Sequence, residues 1–286
     1  MIPVIGDVSV KPRVNIMTVD VEEFFQVGAF ENVINPEQWG TFKGRAAART
    51  ERLLDLFAEH NVKATFFVLG WVAERHPELI KRMVQEGHEV ASHGYNHQRV
   101  TDLNPSQFYD DIYRSKILLE DISGQSVVGY RAPSFSIVKS SEWAFEQLLN
   151  AGYLYSSSTY PINHDHYGTA DWPKEPYRTQ EGILEIPQST VEMIGRRLPA
   201  GGGGFFRLFP QVLNRHLINT FHQQNKHPYV FYFHPWEMDP EQPRIKASLK
   251  SQFRHYVNQQ RMEGKIEDLC KNFSWVSMKE AFTTNI

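Results

Sequence analysis

Two rhythms of apolar and polar residues run through this chain, and the switches between them mark out its elements. Residues 13 to 19, Arg-Val-Asn-Ile-Met-Thr-Val, alternate as a strand entering a core does, and they end at Asp20-Val21-Glu22-Glu23. Residues 45 to 60 carry Leu53, Leu54, Phe57 and Ala58 at helical spacing, and Asn61-Val62 closes that helix. Lys63 to Leu69 is a continuous β-rich apolar run, the kind buried on both faces of a parallel sheet, and Gly70 ends it. Residues 72 to 86 predict one further amphipathic helix, after which His88-Glu-Val-Ala-Ser leads in as a third strand. Strand, helix, strand, helix, strand is the order of right-handed βαβ units.

The alternation continues to the C-terminus. Asn104-Pro105-Ser106 starts a helix whose apolar positions Phe108, Ile112, Ile117 and Leu118 run on to Gly124, and Val127 to Tyr130 is a short strand. A helix over 141 to 151 and a hydroxyl-rich strand exit at Tyr153 to Ser158 follow. Residues 159 to 205 are long on turns and predict an inserted loop region, with Gly201 to Gly204 as a flexible surface loop. Phe206 to Gln224 predicts one helix with Leu213, Leu217, Ile218 and Phe221 on one face, Pro228 to Phe233 a strand, 251 to 270 a last long helix and Phe273 to Val276 a last strand. No internal repeat interrupts this order, and the expectation is one domain over 1–286.

Composition narrows the function classes. Thirty Lys and Arg against 33 Asp and Glu give a net charge of −3, without the basic face of a nucleic-acid-binding protein. A single cysteine, Cys270, excludes an intramolecular disulfide and a cysteine-rich zinc site, and predicts a buried small side chain. No stretch reaches the roughly 18 apolar residues of a membrane span, and no basic, apolar leader opens the chain. The expectation from this is a cytoplasmic protein.

Candidate chemistry lies where the strands end. Asp20 and Glu22 share one face of the first strand and offer two carboxylates together, although a solvated acidic turn has the same sequence. His93 and His97, in Ser-His-Gly-Tyr-Asn-His, have a spacing that brings two imidazoles to one divalent ion from a tight loop or a helical turn. His164 and His166 are a second pair with alternate spacing, in a wet loop. Arg131 is a cation at the next strand exit, stiffened by Pro133, and His234 stands at the mouth of the Tyr-Val-Phe-Tyr-Phe strand, placed for acid or base work. The four glycines lack the Gly-Lys-Ser/Thr that a phosphate-binding loop needs.

Taken together, Thr18-Val19-Asp20-Val21-Glu22, Ser92 to His97, Arg131-Ala132-Pro133 and Phe233-His234-Pro235 resemble, in order, the motifs of the polysaccharide deacetylase family, the NodB-homology domain of carbohydrate esterase family 4. The resemblance runs from about residue 14 to 280, and His234 to Pro240 is similar to the subgroup of exosortase-linked exopolysaccharide loci. It implies a distorted (β/α) barrel of about seven parallel strands, removal of N-acetyl groups from amino sugars of a glycan, and an association with envelope polysaccharide synthesis. It also implies a zinc ion, or Co2+ or Ni2+, held by His93 and His97. Asp20 matches the family's catalytic base, Arg131 the arginine that pairs with it, and His234 the general acid. The family's second aspartate is replaced by Val21, so Glu22 offers the third ligand, and the division of roles between Asp20 and Glu22 stays open. On the substrate side, Tyr95 and Trp236 offer aromatic faces to a sugar, and Pro133 and Ser134 form the loop whose N–H would meet an oxyanion. Ser156 stands where the family pattern has aspartate. Two other readings share these residues: an allantoinase-like hydrolase of a small cyclic amide, and a catalytically inactive glycan-binding module.

Overall fold

The computed structural model describes residues 13–163, 168–193 and 195–282. Strand β1 (Asn15–Val21) leads to helix α1 (Ala46–Glu59), strand β2 (Ala64–Val68), helices α2 (Gly70–Arg75) and α3 (Pro77–Gln85), and strand β3 (Glu89–Ser92). Helix α4 (Pro105–Ser123), strand β4 (Gly129–Tyr130), helix α5 (Ala144–Asn150) and strand β5 (Tyr155–Ser156) complete the first half. The second half holds β6 (Tyr177–Arg178), β7 (Leu184–Glu185), the antiparallel pair β8 (Thr190–Met193) and β9 (Arg196–Pro199), α6 (Gly203–Leu208) and α7 (Gln211–Gln224). β10 (Tyr229–Phe233), α8 (Leu249–Tyr256), α9 (Met262–Asn272), β11 (Trp275–Val276) and α10 (Met278–Ala281) follow.

Nine strands form one curled sheet in the order β10-β1-β2-β3-β4-β5-β7-β6, with β11 also paired to β1, and every pairing is parallel except β6 with β7. This is the open, half-barrel form of the (β/α) barrel that the resemblance implies. β2 and β10 are buried at every residue, as their apolar runs require, and so is β1, its polar Asn15, Thr18 and Asp20 included. Helices α1, α3 and α4 cover the outer face through Leu53, Leu54, Phe57, Ile80, Met83, Phe108, Ile112 and Leu119.

Several sequence expectations need correction. Residues 72 to 86 are two helices, because Pro77 has no N–H to continue the first and starts the second at its opening position. The expected helix from Phe206 to Gln224 divides at Phe209-Pro210, and that over 251 to 270 divides near Asn258, whose φ is 54°. In α4 the buried stripe passes through Leu119, and Ile117 faces solvent. The loop region 159 to 205 contains four short strands, two of which extend the main sheet. Gly201, Gly202 and Gly203 are buried, not a surface loop: Gly202 bridges to Tyr232, and a Cβ at Gly201 would lie 2.2 Å from the Val230 carbonyl oxygen. The His164 and His166 pair lies outside the described residues. Cys270 is buried as expected, its thiol pushed up to about 12 by burial. Among the described residues no helix is long and apolar enough to cross a membrane.

The register aligns the strand ends. Val21, Val68, Ser92, Tyr130 and Ser156 pair in one row across β1 to β5, so Glu22, His93, Arg131 and Ser157 each stand one residue past it. Val19 pairs with Phe233, which brings Asp20 abreast of His234. A parallel sheet puts all these exits on one side, where such folds carry their chemistry.

Candidate active site

Three clusters meet at this rim. In the first, the ligand atoms of Glu22, His93 and His97 lie within 4.8 Å of one another. Glu22 Oε2 is 2.6 Å from His97 Nε2 and 3.9 Å from His93 Nε2, and it is buried without a hydrogen-bond partner among the described residues. An orphaned carboxylate oxygen facing two imidazole nitrogens fits a divalent cation, and two nitrogens with one oxygen is a donor set that zinc takes. His93 accepts this role in its neutral form: burial pushes it down to about 4, and Nδ1 meets the Arg131 carbonyl oxygen at 2.8 Å, which leaves Nε2 unprotonated toward the site. His97 reaches back through a tight loop with its own φ at 54°, held by Asp111, whose carboxylate accepts from the Tyr95 N–H. Burial alone would raise the Glu22 carboxyl, but His97, His234 and His93 outweigh it and hold Glu22 well below the usual range.

The second cluster belongs to Asp20. Its Oδ1 accepts from Arg131 Nη1 at 2.6 Å, and the same nitrogen donates to Thr18 Oγ1. Arg131 is fully buried; Nε donates to the Ser157 carbonyl and Nη2 to Ser157 Oγ, while the guanidinium lies over the Phe67 ring. A charge so enclosed survives burial because each of its three nitrogens has a partner and an anion stands beside it. Asp20 therefore has one oxygen engaged by Arg131, and Oδ2 looks toward His234 Nε2 at 3.9 Å.

The third cluster is built on the turn Pro235–Met238. His234 Nδ1 donates to Glu237 Oε1 at 2.8 Å, and Nε2 faces Glu22 Oε1 at 3.6 Å. Burial alone would lower the imidazole, but Glu22, Glu237 and Asp20 outweigh it and raise it to about 9. Its side chain is 21% exposed against 3% for Asp20 and Glu22, which makes it the member of the group that faces outward.

Two expected sugar platforms are not available. Trp236 is 8% exposed, its indole stacked with both the His234 and His255 rings, and its N–H donates to Glu22 Oε1. Tyr95 is 5% exposed, with Arg114 over its ring, its hydroxyl on Glu74 and its edge where a side chain at Gly70 would be. Trp236 thus holds Glu22, and the Tyr95 ring packs under Arg114, so neither offers an open face to a substrate. Pro133 is buried, and Ser134 is half-buried with φ 54°. The neighbouring N–H groups are committed, Ala132 to Ser158 Oγ, Phe135 to the Ala132 carbonyl and Ser136 to the Pro133 carbonyl, whereas the Ser134 N–H has no such bond among the described residues. Glu237, Ser157 and Arg207 were not singled out from the sequence. Glu237 had a signal in its i, i+3 spacing from His234; Arg207, on another helix, had none.

Residues 37–153 match the family model described as Polysaccharide deacetylase, and residues 157–283 a domain of unknown function (DUF3473). A peptidoglycan-N-acetylglucosamine deacetylase of Bacillus cereus is 35% identical over 99 residues, 34% of this chain and 36% of that protein. A peptidoglycan deacetylase of Helicobacter pylori is 34% identical over 119 residues, 42% of this chain and 39% of that protein. The matched stretches thus span well under half of these relatives. Among solved structures, a candidate polysaccharide deacetylase from Mycobacterium smegmatis superposes over 100% of this chain and 95% of its own, with a TM-score of 0.63 at 19% identity, a likeness of fold. The strand-end residues that carry the resemblance are gathered at one rim of this fold, and over residues 37–153 the chain is similar to the polysaccharide deacetylase family.

Proposed function

We propose that this chain is a metal-dependent hydrolase that removes N-acetyl groups from amino sugars of a glycan. The observation that carries it is the convergence of the Glu22, His93 and His97 donors with Asp20 and His234 at one rim. Amide hydrolysis needs a water made nucleophilic, a developing oxyanion stabilised and a departing amine protonated. A divalent ion on Glu22, His93 and His97 would supply Lewis acidity and lower the pKa of a water. Asp20, paired with Arg131 at 2.6 Å, takes the proton of the attacking water. The Ser134 N–H meets the oxyanion, and the His234 imidazolium gives its Nε2 proton to the leaving nitrogen. Asp20 and His234 stand abreast on neighbouring strands, so base and acid flank one bond.

Acetate release from N-acetylated chitooligosaccharides and from peptidoglycan fragments, with and without chelator, tests this. The expected result is release that chelator abolishes and that added Zn2+ or Co2+ restores. His234→Ala is expected to lower turnover by about 10²–10⁴-fold at unchanged metal content. Binding of the oligosaccharide without any release would establish the inactive glycan-binding module instead.

A further inference from the structure

The acid behind His234 has a partner of its own. Glu237 Oε1 accepts from both the backbone N–H and the Nδ1 of His234, at 3.1 and 2.8 Å, while Oε2 accepts from Arg207 Nε at 2.6 Å. Arg207 is anchored elsewhere: Nη1 donates to the carbonyls of His255 and Val257 at 2.9 and 2.7 Å, and Nη2 to that of Arg254 at 3.0 Å. Both side chains are 1% exposed. The approach of α6 that makes this possible needs a glycine, since a Cβ at Gly203 would come within 2.3 Å of Glu237 Oε1 and 2.7 Å of Oε2. A buried ion pair is weak evidence for stability, because apolar replacement is often neutral. Its place directly behind the outward-facing histidine needs another reason.

We propose that Arg207 and Glu237 are a positioning pair, through which helix α6 fixes the ring orientation of His234 and keeps its Nδ1 proton in place so that Nε2 points to the reacting atoms. Glu237 is acceptor-only when ionised, so the ring nitrogen that meets it carries the proton. Arg207 then locks the carboxylate in that pose. Residues 157–283, the part of unknown function, thereby supply both the acid and the clamp that orients it.

This rests on the proposed function, and a double-mutant cycle on the full chain tests it. Glu237→Gln is expected to lower kcat about 10²-fold, with KM and bound metal changed by less than about twofold. In a His234→Ala background the same change is expected to cost nothing further, since a residue that acts through another is non-additive with it. An equal loss in both backgrounds, or no loss from Glu237→Gln alone, overturns the proposal. Should Glu237→Gln unfold by stranding Arg207, Gly203→Ala displaces the carboxylate with every charge kept and is read in the same cycle. If the wild-type chain releases no acetate, the function fails separately. The pair is then read from histidine NMR assigned with His234→Ala: the downfield, hydrogen-bonded Nδ1–H signal of His234 is expected in the wild type and its loss in Glu237→Gln. A wild-type ring protonated at Nε2 alone overturns the pair.

Discussion

Asp20 and Glu22 stand two residues apart at one strand end, yet their surroundings differ. Arg131 occupies one oxygen of Asp20, whereas Glu22 Oε2 faces the imidazole nitrogens of His97 and His93 at 2.6 and 3.9 Å. That division could not be read from two acids with a valine between them, because it is set by an arginine more than a hundred residues away. Glu22→Gln is therefore expected to weaken metal binding by roughly 10- to 100-fold or more, while Asp20→Asn retains the metal and loses turnover. Metal titration of the two variants decides it, and metal loss from Asp20→Asn with retention by Glu22→Gln would reverse the assignment. The imidazoles and His234 were legible as types at strand mouths. Trp236 and Tyr95 were misread because exposure, not residue type, decides whether a ring can hold a sugar. The missing aspartate at Ser156 has a local answer: Ser156 pairs with Glu185, whose buried Oε1 accepts from the N–H groups of Ser158 and Thr159 and from Thr159 Oγ1.

Elements with an unbroken apolar run or a clear helical stripe were legible, and their errors lie at breaks and close approaches. Prolines 77 and 210 each divide a helix whose periodicity continues across the break, so periodicity alone overruns them. The glycines at 201–203 look like a loop in composition but pack because they lack a side chain. Gly201→Ala is expected to lower stability by roughly 1–3 kcal/mol, seen as a lower Tm, since its methyl meets the Val230 carbonyl. An unchanged Tm would mean that the backbone there yields at no cost. Helix α3 and strand β3 enclose a pH-sensitive residue away from the site. His88 is buried, its Nδ1 accepts from the Ala64 N–H at 3.2 Å, and burial with Lys63 and Arg82 nearby pushes it down to about 4, although Glu86 Oε2 also stands 4.0 Å away. The folded pKa lies below the unfolded one, so the stabilising contribution is full above about pH 6.5 and is lost as pH falls toward 4. Urea denaturation of the wild type between pH 7 and 4 is expected to show this decline, and His88→Gln to flatten it. Parallel curves for the two proteins would assign the decline to other groups.

At the scale of the whole molecule, the parallel βαβ order predicted the sheet, whereas the flanking of β1 by late strands came from pairings too distant for any local pattern to reveal. β1 lies between β10 on one edge and β2 and β11 on the other, so the first strand of the chain is completed by two of the last. Hydrogen bonds repeat the connection: Thr18 Oγ1 donates to the Phe231 carbonyl at 2.8 Å, Asn15 Nδ2 to that of Ser274 at 3.0 Å, and Met278 N–H to Thr65 Oγ1 at 2.8 Å. The junction between the two family matches falls at 153 to 157, around β5, which pairs with β4 on one side and β7 on the other. A boundary of family description thus runs through the middle of a sheet, where a cut would leave β1 and β5 with open edges and unsatisfied backbone groups. The full chain is accordingly expected to melt in one cooperative calorimetric transition, with the calorimetric enthalpy equal to the van't Hoff value. A fragment ending at residue 156 is expected to lack a cooperative transition and to aggregate, since it keeps Glu22, His93 and His97 but not the strands that hold β1. Two resolved transitions in the full chain, or a fragment that melts cooperatively and binds metal, would instead make the two matched regions separate folding units.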